Sequence, residues 1–196
     1  MQETHGGLRE RQRAETLQRI HDAAIDLVRD EGFTAATVAN IADRAGVSRR
    51  TFFNYFPTKE DAVLGAGPAT VPFEALDGLL DGPDQLKKAT LVVHAVASSV
   101  RHVRTDEPVR RALVKSIPEL RARGGQHHIA SQELLAEALS ERFDADDAAR
   151  ATALVMVGSA VLRYAYTLDP DIVDDPDSPA LTAAVELFRT TLKDLT

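Results

Sequence analysis

The sequence predicts an all-α protein of about nine or more helices. Three observations predict it. Apolar residues recur at three- and four-residue spacing through most of the 196 positions. No segment alternates apolar and polar residues as a strand would. Capping residues, glycines and prolines divide the periodic stretches into helix-sized lengths.

Residues 1–8 read as a flexible arm, because Gly6-Gly7 disfavours an early helix. A minor-groove arm carrying Arg9 is the alternative. The first helix is expected from about Arg9 to Glu31, with Leu17, Ile20, Ala24, Leu27 and Val28 as its apolar stripe. Gly32 stops it, and Phe33 stands where a Schellman cap places an apolar contact.

Residues 34–60 carry the chemistry. Thr37 is a good N-cap, and Val38, Ile41, Ala42 and Ala45 then share one helix face. Gly46 suits the left-handed position after a helix, Val47 fills the turn, and Ser48 caps the next helix. Arg49, Arg50 and Thr51 stand in its first turn, while Phe52, Tyr55 and Phe56 fall on its inner side. Two short helices joined by a tight turn, with arginines at the start of the second, fit a DNA major groove. An arginine fork matches guanine O6 and N7. Thr51 suits a thymine methyl or a phosphate, and Phe53, Asn54 and Tyr55 are placed to line the backbone beside the groove. Pro57 ends the helix, Thr58 and Asp61 form a capping-box-like start to the next, and Lys59 there suits a phosphate.

A net charge of −7 taken as a whole opposes DNA binding, but its distribution removes the objection. Residues 1–60 hold nine basic and nine acidic residues, so all the excess acid lies beyond them. Phosphate attraction is local, since screening limits its reach to about 8 Å at physiological salt. Arg9, Arg11, Arg13, Arg44, Arg49, Arg50 and Lys59 are candidates for a basic face. With 44% apolar residues the chain has a core to bury, and with no cysteine it has no disulfide, zinc-thiolate or thiol chemistry. No stretch reads as a membrane span and no apolar leader opens the chain, so no membrane partner and a cytoplasmic home are expected.

Beyond the motif, the fourth helix starts near Thr58 and weakens at Gly65-Ala66-Gly67-Pro68. Phe73, Leu76, Leu79 and Leu80 suggest a short helix. Long helices are expected over Asp84 to about Thr105, from Pro108, from Pro118 to about Phe143 with a kink at Gly124-Gly125, over Asp146–Leu168, and over Ser178–Leu195. On the first of these, His94, Ser98 and Arg101 fall at successive turns, with His102 beside them, a candidate set for orienting a small apolar molecule. Surface polar residues are the competing reading. Leu154, Val157, Val161 and Tyr164 on one helix and Leu181, Val185, Phe188 and Leu192 on the last suggest a face that two copies pack into a four-helix bundle. His127-His128 is a poor chelate, since neighbours on a helix point about 100° apart, so no metal is expected. The acidic stretch 169–177 lacks the glycine and closing acid of a calcium loop and reads as a solvated loop. No cofactor fingerprint or catalytic constellation appears, so no catalytic residue and no enzyme activity are expected.

The segment resembles the DNA-binding domain of TetR-family transcriptional regulators. The resemblance lies in Thr37, Ile41-Ala42, Gly46-Val47-Ser48, Thr51-Phe52-Phe53-Asn54-Tyr55-Phe56 and Lys59-Glu60, and covers residues 16–64 closely. It implies that Thr37, Ser48, Tyr55 and Lys59 hold phosphates, that Arg49, Arg50 and Thr51 face bases, and that Phe52 and Phe56 are core. Phe53 departs from the tyrosine common there and loses a phosphate-binding hydroxyl. The implied organisation is a flexible arm at 1–8, a three-helix helix-turn-helix DNA-binding domain at 9–64, and a ligand-binding and dimerisation domain at 65–196. The implied function is a homodimeric repressor on a palindromic operator, released by a small apolar effector. An architectural DNA-binding protein and an all-helical enzyme are the competing classes.

Overall fold

The computed structural model describes residues 4–104, 106–169, 172 and 175–194. Among them are nine α-helices, a 3-10 turn at Phe73–Leu76 and no strand longer than an isolated bridge. The helices are α1 (Thr4–Glu31), α2 (Val38–Ala45), α3 (Arg49–Phe53), α4 (Lys59–Leu64), α5 (Gln85–Ser99), α6 (Glu107–Ser116), α7 (Pro118–Arg142), α8 (Ala145–Leu168) and α9 (Pro179–Lys193).

The chain forms two compact units. The first comprises 1–68 and 101–127, the second 69–100 and 128–196. The segment 101–127, which carries α6 and the start of α7, thus returns to the N-terminal unit, a topology that the expected division at residue 65 does not contain. The return changes the electrostatics. Segment 101–127 holds seven basic and three acidic residues, so the first unit carries net +3 and the second net −10.

In the first unit, the α1 stripe meets α2 and α4, and α2 meets α3. Leu17, Ile20, Ala24, Leu27, Ile41, Ala42, Phe52, Phe56 and Val63 are buried there. His21 is buried with them, and its Nδ1–H donates to the Ala62 carbonyl at 2.7 Å. Burial holds its pKa below the ordinary imidazole value. The helix ends follow local chemistry. Thr37, Ser48 and Thr58 each cap a following helix through the side-chain oxygen. Gly46 and Gly65 take left-handed conformations, φ 67° and 64°, and the next N–H closes a Schellman bond in each case.

In the second unit, α5 lies against α8. Gly158 permits the approach, because a Cβ there would stand 2.9 Å from the Ala89 carbonyl carbon and the Thr90 nitrogen. One apolar cluster gathers Leu76, Leu79, Val92, Leu135, Leu139 and Val155. A second gathers Val161, Leu162, Ile172, Leu181 and Val185.

Several expectations require correction. α1 begins at Thr4, so Gly6 and Gly7 lie in a helix where a loose arm was expected. An exposed glycine costs a helix only about 1 kcal/mol, and the long turn-by-turn register behind it propagates through. Residues 1–3 of that arm lie outside the described residues. α5 stops at Ser99, six residues short of its expected end, where Arg101 pairs with Ala66 in an isolated bridge. α7 runs unbroken through Gly124-Gly125. The short helix expected around Phe73–Leu80 is only the 3-10 turn, which buries Leu76 and leaves Phe73 exposed. By length and composition α8 is apolar enough to cross a membrane, against the sequence expectation. Its Ala151, Val155, Val161, Leu162 and Ala165 are buried, as in a core helix. The expected loop at 169–177 falls in part on residues 170, 171, 173 and 174, and the end of the last helix on 195–196, outside the described residues.

Candidate nucleic-acid interface

The local sequence builds a turn between two helices and exposes the start of the second. Gly46 ends α2 with its own N–H bonded to Asp43 O and the Val47 N–H bonded to Ala42 O. Ser48 then accepts the Thr51 N–H at 3.0 Å and shares a 2.9 Å hydrogen bond with the Thr51 hydroxyl. Phe52 and Phe56 are fully buried and anchor the inner side of α3. That anchoring turns Arg49 and Arg50 outward, and both are exposed. Phe53 is 56% exposed and meets Phe52 edge-on. Asn54 is exposed and Tyr55 half-buried on the same segment.

The remaining site candidates are already in use. The Thr37 hydroxyl oxygen accepts the Asn40 N–H at 3.2 Å, leaving its own proton to donate. Lys59 donates to the Phe33 carbonyl at 2.9 Å, with its ammonium 3.9 Å from the Phe33 ring centroid. It therefore ties α4 to the loop after α1, with two N–H groups still available. Arg44, a candidate for the basic face, is paired with Asp30 and Glu31 at 2.8 and 3.4 Å.

The same unit holds an ion cluster that the sequence did not reveal. Asp61 on α4 is fully buried, and both its oxygens take a guanidinium fork from Arg123 at 2.7 Å. His127 meets the same carboxylate at 2.6 Å, and the Thr58 hydroxyl donates to it at 2.9 Å. Burial pushes the Asp61 carboxyl up, but the hydrogen bonds from His127, Arg123 and Thr58 overcome this and hold it at about 2. α4, which follows the motif, is thereby fastened to the first turns of α7. The spacing of Arg123 and His127, four apart on one helix face, was the available signal. A second buried carboxylate, Glu107, takes Arg110 at 2.6 Å and Arg101 at 3.0 Å.

The expected effector set is not brought together. His94 is buried on α5 in the second unit, its Nε2 2.9 Å from the Ile172 carbonyl. Ser98 shares that helix. Arg101 and His102 lie beyond the helix end, in the first unit, where Arg101 pairs with Glu107 and the His102 ring lies against Gly67. The expected dimer set also divides. Val161, Leu181 and Val185 are core of one chain, Leu154, Val157 and Phe188 are half-buried, and Tyr164 and Leu192 are exposed. Exposed apolar residues of α8 and α9 that the set omitted are Met156, Leu168 and Leu187.

Comparison with known proteins agrees with this geometry. The family described as bacterial regulatory proteins, tetR family, matches residues 20–64, which span the end of α1 through α4. The chain is also 29% identical, over 175 residues, to a Mycobacterium tuberculosis protein named "Putative mycofactocin biosynthesis transcriptional regulator MftR". That alignment covers 83% of this chain and 85% of the relative. The chain carries a segment that matches the tetR family. It is a DNA-binding transcriptional regulator. The matched residues include the N-caps Thr37, Ser48 and Thr58 and the Gly46 cap of α2, so the family pattern and the physical reading of the turn fall on the same residues.

Proposed function

We propose that this regulator binds a palindromic operator as a homodimer, represses from it, and is released by a small apolar effector. The observation that carries the DNA half is the exposed Arg49-Arg50 pair in the first turn of α3, held outward by the buried Phe52 and Phe56. Arg49 and Arg50 read guanine edges, and Thr51 touches a thymine methyl or a phosphate. Thr37, Ser48, Tyr55 and Lys59 hold phosphates through the donors left after their internal bonds, and Phe53 and Asn54 flank the backbone. The +3 charge of the first unit favours this face on DNA, and the −10 of the second disfavours other poses.

Dimerisation through α8 and α9 is supported by Met156, Tyr164, Leu168, Leu187 and Leu192, large apolar residues exposed on those two helices. Val161, Leu181 and Val185 support that face from behind as core. Two recognition helices about 34–36 Å apart then match successive major grooves of a palindrome. For the effector, His94 and Ser98 on α5 remain the candidate polar groups of the second unit, beside its two apolar clusters. A DNA-binding role supports a cytoplasmic location. Nothing in the residues favours catalysis, and repression is taken from the family.

The test is base preference. Arg50→Ala is expected to relax discrimination at one position per half-site, by about 1–3 kcal/mol, while leaving other positions intact. An equal loss on every sequence would refute the base-reading role.

A further inference from the structure

We propose that Arg13, with Arg9 one turn before it, is a DNA-backbone contact that flanks the recognition helix and is positioned by Tyr55. The inference rests on the DNA-binding reading and adds a phosphate-binding element on α1, outside the helix-turn-helix.

Three observations carry it. First, the Arg13 guanidinium lies over the Tyr55 ring, 5.3 Å from its centroid. Tyr55 lies two residues past the last residue of the recognition helix, so the stack fixes a cation beside α3. A ring stack occupies one face of the guanidinium and leaves its edge N–H donors free for a phosphate fork. Second, α1 is helical from Thr4, so helix geometry holds through these arginines. Stepping back by four from Leu17, whose buried stripe packs on the motif helices, reaches Arg13 and then Arg9. Both arginines therefore prolong the face that packs on the motif, beyond the point where its core ends. Arg11 points roughly 160° away from both. Third, Arg9 and Arg13 are exposed and have no ion-pair partner among the described residues. Arg44, Arg101 and Arg123 in the same unit are bound by carboxylates. An exposed cation held against a ring and left without an internal counter-charge suits an external anion.

The experiment measures duplex affinity of the full chain against salt concentration, on its best site and on an unrelated duplex. Each phosphate contact contributes about 0.9 to the slope of log affinity against log salt. Arg13→Ala is expected to lower the slope by about one per half-site, equally on both duplexes. Arg29→Ala, an exposed arginine about 160° away round the same helix, is expected to leave it unchanged. In a Tyr55→Leu background, Arg13→Ala should cost less than in the wild type, because the guanidinium is no longer held. Circular dichroism of each variant should match the wild type, since both arginines are exposed. An unchanged slope in Arg13→Ala, an equal drop in Arg29→Ala, or a loss confined to one base pair would each overturn the proposal while wild-type binding upholds the regulator reading. A wild type without salt-dependent duplex binding would overturn both.

Discussion

Replacing Asp61 by asparagine tests whether the buried ion cluster holds the DNA-binding unit together. The substitution keeps the size of the side chain and removes its charge. Asp61 has no solvent exposure, and its pKa falls from 3.8 to about 2 in the folded chain. A difference of about two units corresponds to roughly 2–3 kcal/mol of folding stability at neutral pH. The folded value is depressed, so this stability is fully present above pH 3.8 and is lost as pH falls towards 2. Urea unfolding followed by circular dichroism, for wild type and Asp61→Asn at matched pH from 7 to 2, measures it. Comparing the two proteins at each pH cancels the general repulsion of an acid-charged chain. The expected cost is about 2–3 kcal/mol at pH 7, falling below about 0.5 kcal/mol at pH 2, where the folded carboxyl is half protonated. A cost independent of pH, or one below about 1 kcal/mol at pH 7, would refute the reasoning. Arg123→Ala should cost more, about 3–5 kcal/mol, because it strands a fully buried carboxylate with only His127 and Thr58 beside it.

Two further outcomes follow from the second unit. Gly158→Ala drives a methyl into the backbone of Ala89 and Thr90, so α5 and α8 must separate. A loss of about 1–3 kcal/mol in thermal or urea unfolding is expected, and a neutral effect would contradict the close approach. Met156→Glu places a charge on an outward residue that is 69% exposed in a single chain. Monomer stability should hold within about 0.5 kcal/mol while sedimentation shows a weakened dimer. Unchanged self-association would move the seam elsewhere.

The helix ends were legible because their causes are local. Thr37, Ser48 and Thr58 cap, and Gly46, Gly65 and Pro118 stop or start helices, through chemistry confined to four or five neighbouring residues. The recognition helix was legible for the same reason, with Phe52 and Phe56 fixing which side of it is buried. The end of α5 was not. Val93, Val96, Val100 and Val103 keep a helical period past Ser99, and what interrupts it is a long-range pairing of Arg101 with Ala66. The effector set loses its shared helix face with it, because Arg101 and His102 lie beyond the helix end. The Asp61 cluster was hidden for a related reason. Its partners Arg123 and His127 are 62 and 66 residues away, and locally Asp61 reads only as the third residue of a cap. The dimer set was drawn from helical periodicity, which identifies an apolar side without saying which protomer covers it. Val161, Leu181 and Val185 face their own core.

A dimer that reads DNA through Arg49 and Arg50 on α3 selects its sites by base identity. Affinity selection of random duplex by the purified protein, followed by sequencing, tests it most directly. The account predicts a palindromic consensus whose half-sites lie one helical turn apart, centre to centre, with guanines opposite the arginines. Recovery of random sequence at physiological salt would contradict it and indicate a protein that binds DNA without reading it.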